Sequence, residues 1–400
     1  MREEWKYCTL EELVTTINGL WKGKKEPFVN VGVIRNANFN KDITLNYSNI
    51  EYLNVEERQY KTRKLQSGDL IVEKSGGSEK QPVGRTVLFR GEGEFSVSNF
   101  TSILRIKDQN IIFPEFLYKY LLFIYYSGAT KAMQKATTGI HNILFDKFLA
   151  IQVPIPSLHE QQCIIEYLDT QFAKIDAIKA NAEKQLQDAK DLFQSALKDL
   201  LTPKEGWKGQ CLADLCTLVR GPFGGSLKKD IFVESGYAVY EQQHAIYKNT
   251  NIRYFIDESK YLLMKRFSVR PGDLIMSCSG TIGKIFIIPD NAPKGVINQA
   301  LLKMTPKMGV SANYLAFLIE SDYFKEIISS YSDGAAIQNI AAVQFLKELK
   351  ISIPCFEEQI LLVKKLNLLS EKIKELQSNY EQTITLCNDL KQSILKDIFG

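Results

Sequence analysis

Two glycine-rich stretches come nearest to covalent chemistry in this 400-residue chain. Phe89-Arg90-Gly91-Glu92-Gly93 has the glycine spacing of an S-adenosylmethionine loop. Strand-like residues 94 to 100 follow it where a helix would have to open, and no Asn-Pro-Pro or Asp-Pro-Pro tetrad accompanies it. A hairpin turn is the better reading. Gly280-Thr281-Ile282-Gly283-Lys284 has the residue types of a phosphate loop without the spacing that wraps backbone N–H groups around phosphates. No nucleophile elbow or zinc-protease helix is present, and the histidines are only His141, His159 and His244. Cys211 and Cys216, the closest pair among seven cysteines, have no histidine near them in sequence, so unpaired structural thiols are a better reading than a zinc site. The chain reads as non-catalytic, with no metal and no cofactor of its own.

What remains is binding chemistry. Arg and Lys donate to guanine edges and phosphates, and Asn and Gln match adenine edges. Such groups recur near turns: Arg35, Lys74-Ser75-Gly76, Arg85, Asn99 and Asn142, then Lys228, Gln242, Gln243, Lys265, Ser279-Gly280-Thr281, Lys284, Asn298, Gln299 and Asn339. Glycine and asparagine at repeated turns can equally serve backbone geometry.

Many of these positions recur because the chain is duplicated, whereas Arg35, Lys228, Gln242 and Gln243 are not repeated. Residues 155–161 align with 353–359 at an offset of 198, and Gln194 to Asp199 aligns with Gln392 to Asp397. Gly68-Asp69-Leu70-Ile71 matches Gly272-Asp273-Leu274-Ile275, Asn99 matches Asn298, and Ile140 to Ile143 matches Ile337 to Ile340. Four segments result: globular 1–154, helical 155–201, globular 202–353 and helical 354–400.

The globular segments carry short β-branched and aromatic runs broken by Gly, Asn and Asp, followed by helical stretches near Pro114 to Tyr126 and Ala312 to Ser330. The class is α+β, repeated. Residues 155–201 have no glycine and no proline after Pro156, and each helical segment carries an apolar seam at alternating spacings of three and four. The first seam includes Ile165, Leu168, Phe172, Ile175, Leu186 and Phe193, interrupted at Lys179. The second includes Leu362, Leu366, Leu369, Ile373, Leu376, Leu390 and Ile394. The duplication predicts two antiparallel coiled-coil helices related by a pseudo-two-fold, each spanning roughly 65 Å at about 1.5 Å per residue, with a globular domain at each end. Their apolar stripes form the mutual seam or dock a partner.

Charge follows the same division. The globular segments hold 21 and 18 Lys and Arg against 17 and 14 Asp and Glu, so each is +4, while the helices are −3 and −1. Basic turns suit a polyanion. No apolar run approaches the roughly 20 residues that cross a bilayer, the chain begins with Arg2, Glu3 and Glu4, and the cysteines are scattered. A soluble cytoplasmic protein is expected.

The paired motifs resemble those of the specificity (S) subunit of type I restriction-modification systems. Gly68-Asp69-Leu70-Ile71, Ser75-Gly76 and Gly84-Arg85 recur as Gly272-Asp273-Leu274-Ile275, Ser279-Gly280 and Gly283-Lys284. Val153-Pro154-Ile155-Pro156 with Glu160-Gln161 recurs as Ile353-Pro354 with Glu358-Gln359, although Cys355-Phe356 departs from the usual pattern. The resemblance covers essentially the whole chain. It implies that 1–154 and 202–353 are target-recognition domains, each reading half of a split, asymmetric double-stranded DNA sequence, and that the helices act as spacer and docking surface. It further implies two modification (methyltransferase) subunits carrying S-adenosylmethionine, and restriction subunits using ATP and Mg. A coiled-coil adaptor that binds no DNA would need the same seams but no basic turns, whereas an autonomous methyltransferase or nuclease would need a cofactor pocket.

Overall fold

The computed structural model describes residues 5–400 apart from 22, 24, 80, 138, 224, 279–282 and 331–342, with their side chains other than those of 137, 229, 329, 330 and 343. The chain forms two compact units, 1–183 with 382–400 and 184–381. Among the described residues no helix is long and apolar enough to cross a membrane.

The first unit holds β1 (Lys6–Thr9), β2 (Val14–Asn18), β3 (Phe28–Ile34), β4 (Glu51–Glu56), β5 (Leu70–Glu73) and β6 (Ser75–Gly77). There follow β7 (Thr86–Leu88), β8 (Phe95–Val97), β9 (Thr101–Ile106), β10 (Gln134–Thr137), β11 (Ile140–Ile143) and β12 (Gln152–Ile155). Its main sheet is antiparallel in the order β2-β9-β5-β7. Smaller sheets run β4-β3-β8, with β3 and β8 parallel, and β10-β11-β6, while β1 pairs with β12.

The second unit repeats this plan with β13 (Lys208–Cys211), β14 (Cys216–Arg220), β15 (Tyr237–Tyr240), β16 (Phe255–Ile256), β17 (Leu274–Ser277), β18 (Ile285–Ile287), β19 (Gly295–Ile297), β20 (Leu301–Pro306) and β21 (Lys350–Ile353). Its sheets run β14-β20-β17-β18, β16-β15-β19 with β15 and β19 parallel, and β13-β21. The duplication read from the sequence is therefore a duplication of topology, and the class is α+β.

The Gly-Asp motif launches the central strand of each main sheet. Gly68 and Gly272 hold left-handed φ of 93° and 83°. The buried carboxylate that follows accepts a turn N–H, from Gln66 to Asp69 at 2.7 Å and from Arg270 to Asp273 at 2.8 Å. It also ties the turn to the neighbouring strand, through Arg105 on Asp69 (2.7 Å) and Thr305 Oγ1 on Asp273 (2.6 Å). Strands β5 and β17 are then buried throughout, because both faces of the sheet are covered. Leu70, Ile71 and Leu104 share a core with Phe116 and Leu117 of the helix Pro114–Tyr126 and with Leu168. In the second unit the expected helix over 312–330 is two, Ala312–Glu320 and Asp322–Ser330. They break at buried Ser321, whose hydroxyl caps the Phe324 N–H at 3.2 Å.

The long helices are Leu158–Leu201 and Phe356–Phe399. The Glu-Gln pair of the repeated motif anchors each start. Gln161, fully buried, accepts from the Phe113 N–H (2.9 Å) and donates to the carbonyls of Ile111 (2.9 Å) and Pro156 (3.0 Å). Gln359 does the same with Ser311 N–H (2.9 Å), Gly309 (3.3 Å) and Pro354 (3.1 Å). Glu160 accepts from the Trp5 indole and Glu358 from the Trp207 indole, each at 3.1 Å. The motif is thus a lock between each domain and the helix it begins.

Within the first unit the helices run antiparallel: Asp176 pairs with Lys391 (2.5 Å) and Lys179 donates to Asn388 (3.1 Å). Lys179, which interrupts the apolar row, is therefore matched by an amide. Ile165, Leu168, Ile175, Leu362, Leu366 and Ile373 are buried, and Phe172, Leu186, Phe193, Leu369 and Ile394 half-buried. Leu376 and Leu390 leave the expected seam, at 41% and 50% exposed. A helix of 3.6 residues per turn drifts by about 20° per heptad against a 3.5 repeat. The row Leu369, Leu376, Leu390 accordingly turns outward while Gln377, Ile384 and Lys391, one residue later, turn inward.

Candidate nucleic-acid interface

In each unit the candidate residues that converge do so where strands of the main sheet end. In the first, β5 runs into Lys74-Ser75-Gly76, and the N–H groups of Lys74 and Ser75 donate to the Phe100 carbonyl (2.9 and 3.3 Å), bringing Asn99 alongside. Asn142 on β11 pairs opposite Ser75. Asn36 donates to the Ser75 carbonyl at 2.5 Å, and a Cβ on Gly76, whose φ is 108°, would lie 2.9 Å from that amide nitrogen. The left-handed φ, more than the approach of this side-chain tip, explains the glycine of the motif. Arg35 adjoins Asn36 and pairs with Glu51, both half-exposed. Lys74 donates to Asn18 Oδ1 at 2.9 Å, and burial holds its ammonium below the usual lysine range.

Arg85 belongs elsewhere. Its guanidinium is buried, bonded to Glu73 through Nε (2.8 Å) and Nη2 (3.0 Å) and set 5.4 Å over the Phe39 ring. With its donors turned inward it is a core ion pair and leaves the candidate set. Lys284 holds the same backbone place: it pairs with Ser277 as Arg85 pairs with Glu73. Ser277 offers no carboxylate, so Lys284 stays exposed, beside a cavity of about 520 Å³ lined by Phe193, Lys248, Glu320 and Phe324.

The second unit builds the same edge. Asn298 donates its N–H to the Tyr240 carbonyl (2.9 Å), next to Glu241 and the helix Gln242–Tyr247, so Gln242, Gln243, Asn298 and the exposed Gln299 are neighbours. Gln243 bonds Glu241 at 3.1 Å, and Asn298 Oδ1 accepts from the Ala300 N–H at 3.0 Å, a turn-forming bond. The structure also corrects the alignment of the turn. Ser98 N–H bonds the Ile34 carbonyl as Asn298 N–H bonds that of Tyr240, so Asn298 corresponds to Ser98, and Gln299 to Asn99. Lys228 and Lys265 are exposed but flank Leu227 and Met264, which pack beside the small sheet, not at the strand ends. Ser279, Gly280, Thr281 and Asn339 lie outside the described residues.

Four residues of these edges belong to no motif. Asn18 and Arg220 end β2 and β14, and three residues on stand Trp21 and Phe223, 60% and 70% exposed. Their common signal is correspondence at an offset of 202. Among the described residues no three His, Cys, Asp or Glu side chains gather as metal ligands.

Twice-repeated α+β domains, each locked to a long helix and each presenting amides, cations and an exposed aromatic at its strand ends, define a duplicated recognition architecture. The sequence model described as "Type I restriction modification DNA specificity domain" matches residues 2–188 and again 204–395, and the chain belongs to that family. Its relatives include the type I restriction enzyme StySPI specificity subunit of Salmonella potsdam, 23% identical across 92% of this chain and 86% of that one. The putative MjaX specificity subunit of Methanocaldococcus jannaschii is 21% identical across 95% and 90%. Among solved structures, a chain described under complex assembly and conformational transition of the type I R-M system superposes with a TM-score of 0.79 at 16% identity, covering 100% of this chain and 98% of that one. The HsdS subunit from Thermoanaerobacter tengcongensis superposes with a TM-score of 0.55, also at 16% identity, covering 100% and 97%. These likenesses establish the fold.

Proposed function

We propose that this chain is the DNA-recognition subunit of a type I restriction-modification complex, reading a bipartite, asymmetric target with one half-site per unit. One observation carries the reading. The two strand-end edges share a backbone frame and differ in chemistry: Ser98 and Asn99 in one stand where Asn298 and Gln299 stand in the other. Equivalent frames with unlike donors and acceptors select unlike base sequences.

In this reading the chain performs no catalysis and holds no cofactor. Two modification subunits supply S-adenosylmethionine-dependent methylation, and restriction subunits supply ATP- and Mg-dependent cleavage. The C-terminal helix offers docking surface: Leu361 and Leu368 in the second unit and Leu386 and Leu390 in the first are 50% to 66% exposed. Apolar rows of this kind mark interaction sites.

The test is footprinting of the chain, alone and with its modification subunits, on duplex DNA at defined salt. Protection of two patches, stronger in the complex and weakening as salt rises, supports the reading. A well-folded complex that protects no DNA overturns it.

A further inference from the structure

The strand ends differ between the units in one coupled way. In the first, Asn18 Oδ1 accepts from Lys74 Nζ (2.9 Å) and Ser102 Oγ (3.2 Å). In the second, Asn18 is replaced by Arg220, Lys74 by Cys278 and Ser102 by Leu302, in the same registers. The pair stays electrostatically coupled: the Arg220 charge draws the Cys278 thiol down against burial, which pushes it up to about 11. A cation therefore stands at this place in both units but comes from opposite members of the pair.

The frame around it is the same. Gly19 and Gly221, which follow Asn18 and Arg220, press so closely on the next turn that a Cβ would lie 1.8 Å from the carbonyl oxygen of Ser98 or Asn298. Beyond each glycine stands the exposed aromatic, Trp21 or Phe223.

Two of the Arg220 donors, Nε and Nη1, are buried and lack acceptors among the described residues. Leaving charged donors unmatched is costly, and a thiol is a weak acceptor. An anionic oxygen approaching from the solvent side would meet the donor outside that buried pair, Nη2, and the charge of the whole guanidinium.

We infer that Arg220 is a phosphate anchor for the DNA half-site held by the second unit, taking the part that Lys74 plays in the first. This rests on the DNA-reading function proposed above. A cation moved between two strands while keeping its place on the surface is what retention of a phosphate contact looks like when the surrounding base-reading residues diverge. It differs from the base-edge role assigned to amides, because it fixes register without carrying sequence information.

The experiment measures affinity for the selected duplex between 50 and 200 mM salt, using the full chain with its modification subunits. Arg220→Asn should weaken binding about tenfold at low salt and reduce the salt slope by about 1, while Arg220→Lys keeps the slope. The double variant Arg220→Asn with Cys278→Lys, which transplants the first unit's pair, should restore the slope. Lys74→Asn should lower it as Arg220→Asn does. An unchanged slope in Arg220→Asn overturns the inference, whether affinity holds or falls. So does a relaxed preference at one base pair with the slope intact, which would make Arg220 a base reader. If the unsubstituted complex binds no DNA, the proposed function fails first, before any variant is compared.

Discussion

Replacing Gln161 by alanine should release the first unit from its long helix. The amide makes three hydrogen bonds of 2.9 to 3.0 Å and is fully buried. Each such bond contributes about 1 kcal/mol net, and the substitution also strands the Phe113 N–H away from water. The expected loss is about 3 to 4 kcal/mol. For a unit of this size each kcal/mol lowers Tm by about 2 to 4 °C, so the transition of the first unit should fall by roughly 10 °C. Hydrogen exchange localises the effect: the Phe113 amide should lose protection while the Ser311 amide, held by Gln359, keeps it. Gln161→Glu should not rescue, because it removes the two donations to carbonyls and buries a charge. A loss under about 1 kcal/mol, or equal deprotection at Phe113 and Ser311, would refute the idea that the amide is the lock.

Other outcomes follow from the same geometry. Glu73→Gln strands the buried Arg85 charge and should cost about 3 to 5 kcal/mol by urea denaturation, whereas an apolar pair, Glu73→Leu with Arg85→Met, should come close to neutral. A double variant as unstable as the single one would contradict the ion-pair assignment. Alkylation at pH 8, read by mass spectrometry, should label the exposed Cys163 and Cys355 and spare Cys216 and Cys278. Burial pushes those two thiols up to about 12 and about 11, leaving about one Cys278 in a thousand as the reactive thiolate. Labelling of Cys278 at the rate of Cys163 would show that its strand end is open. Leu361→Glu with Leu368→Glu should leave stability within about 0.5 kcal/mol, since both side chains are exposed, yet abolish co-purification with the modification subunits. Retained co-purification would move the docking surface elsewhere.

Much of the architecture was legible because duplication writes each signal twice. Gly68-Asp69 and Gly272-Asp273 mark the starts of two central strands, and Glu160-Gln161 and Glu358-Gln359 mark the starts of two helices. The physical roles of those residues were not legible, since the partners of Gln161 include residues 48 and 50 positions away. The seam is legible to within one residue, and its later leucines, Leu376 and Leu390, fall outside it because a real helix drifts against a strict heptad. Arg85 looked like Lys284 in sequence; Glu73, 12 residues earlier, makes the difference through a contact across neighbouring strands. Arg220 gave no local signal at all, because its meaning lies in the loss of Lys74 from the matching position.

The central claim is that two unlike readers share one chain. Its most direct test is selection of bound duplexes from a random pool by the full chain with its modification subunits, followed by sequencing. The account predicts two specified blocks of unlike sequence separated by an unspecified gap of constant length. Exchange of Asn298 and Gln299 for Ser and Asn, the residues of the first unit, should alter one block alone. A single block, a palindrome, or enrichment of no sequence would contradict the account.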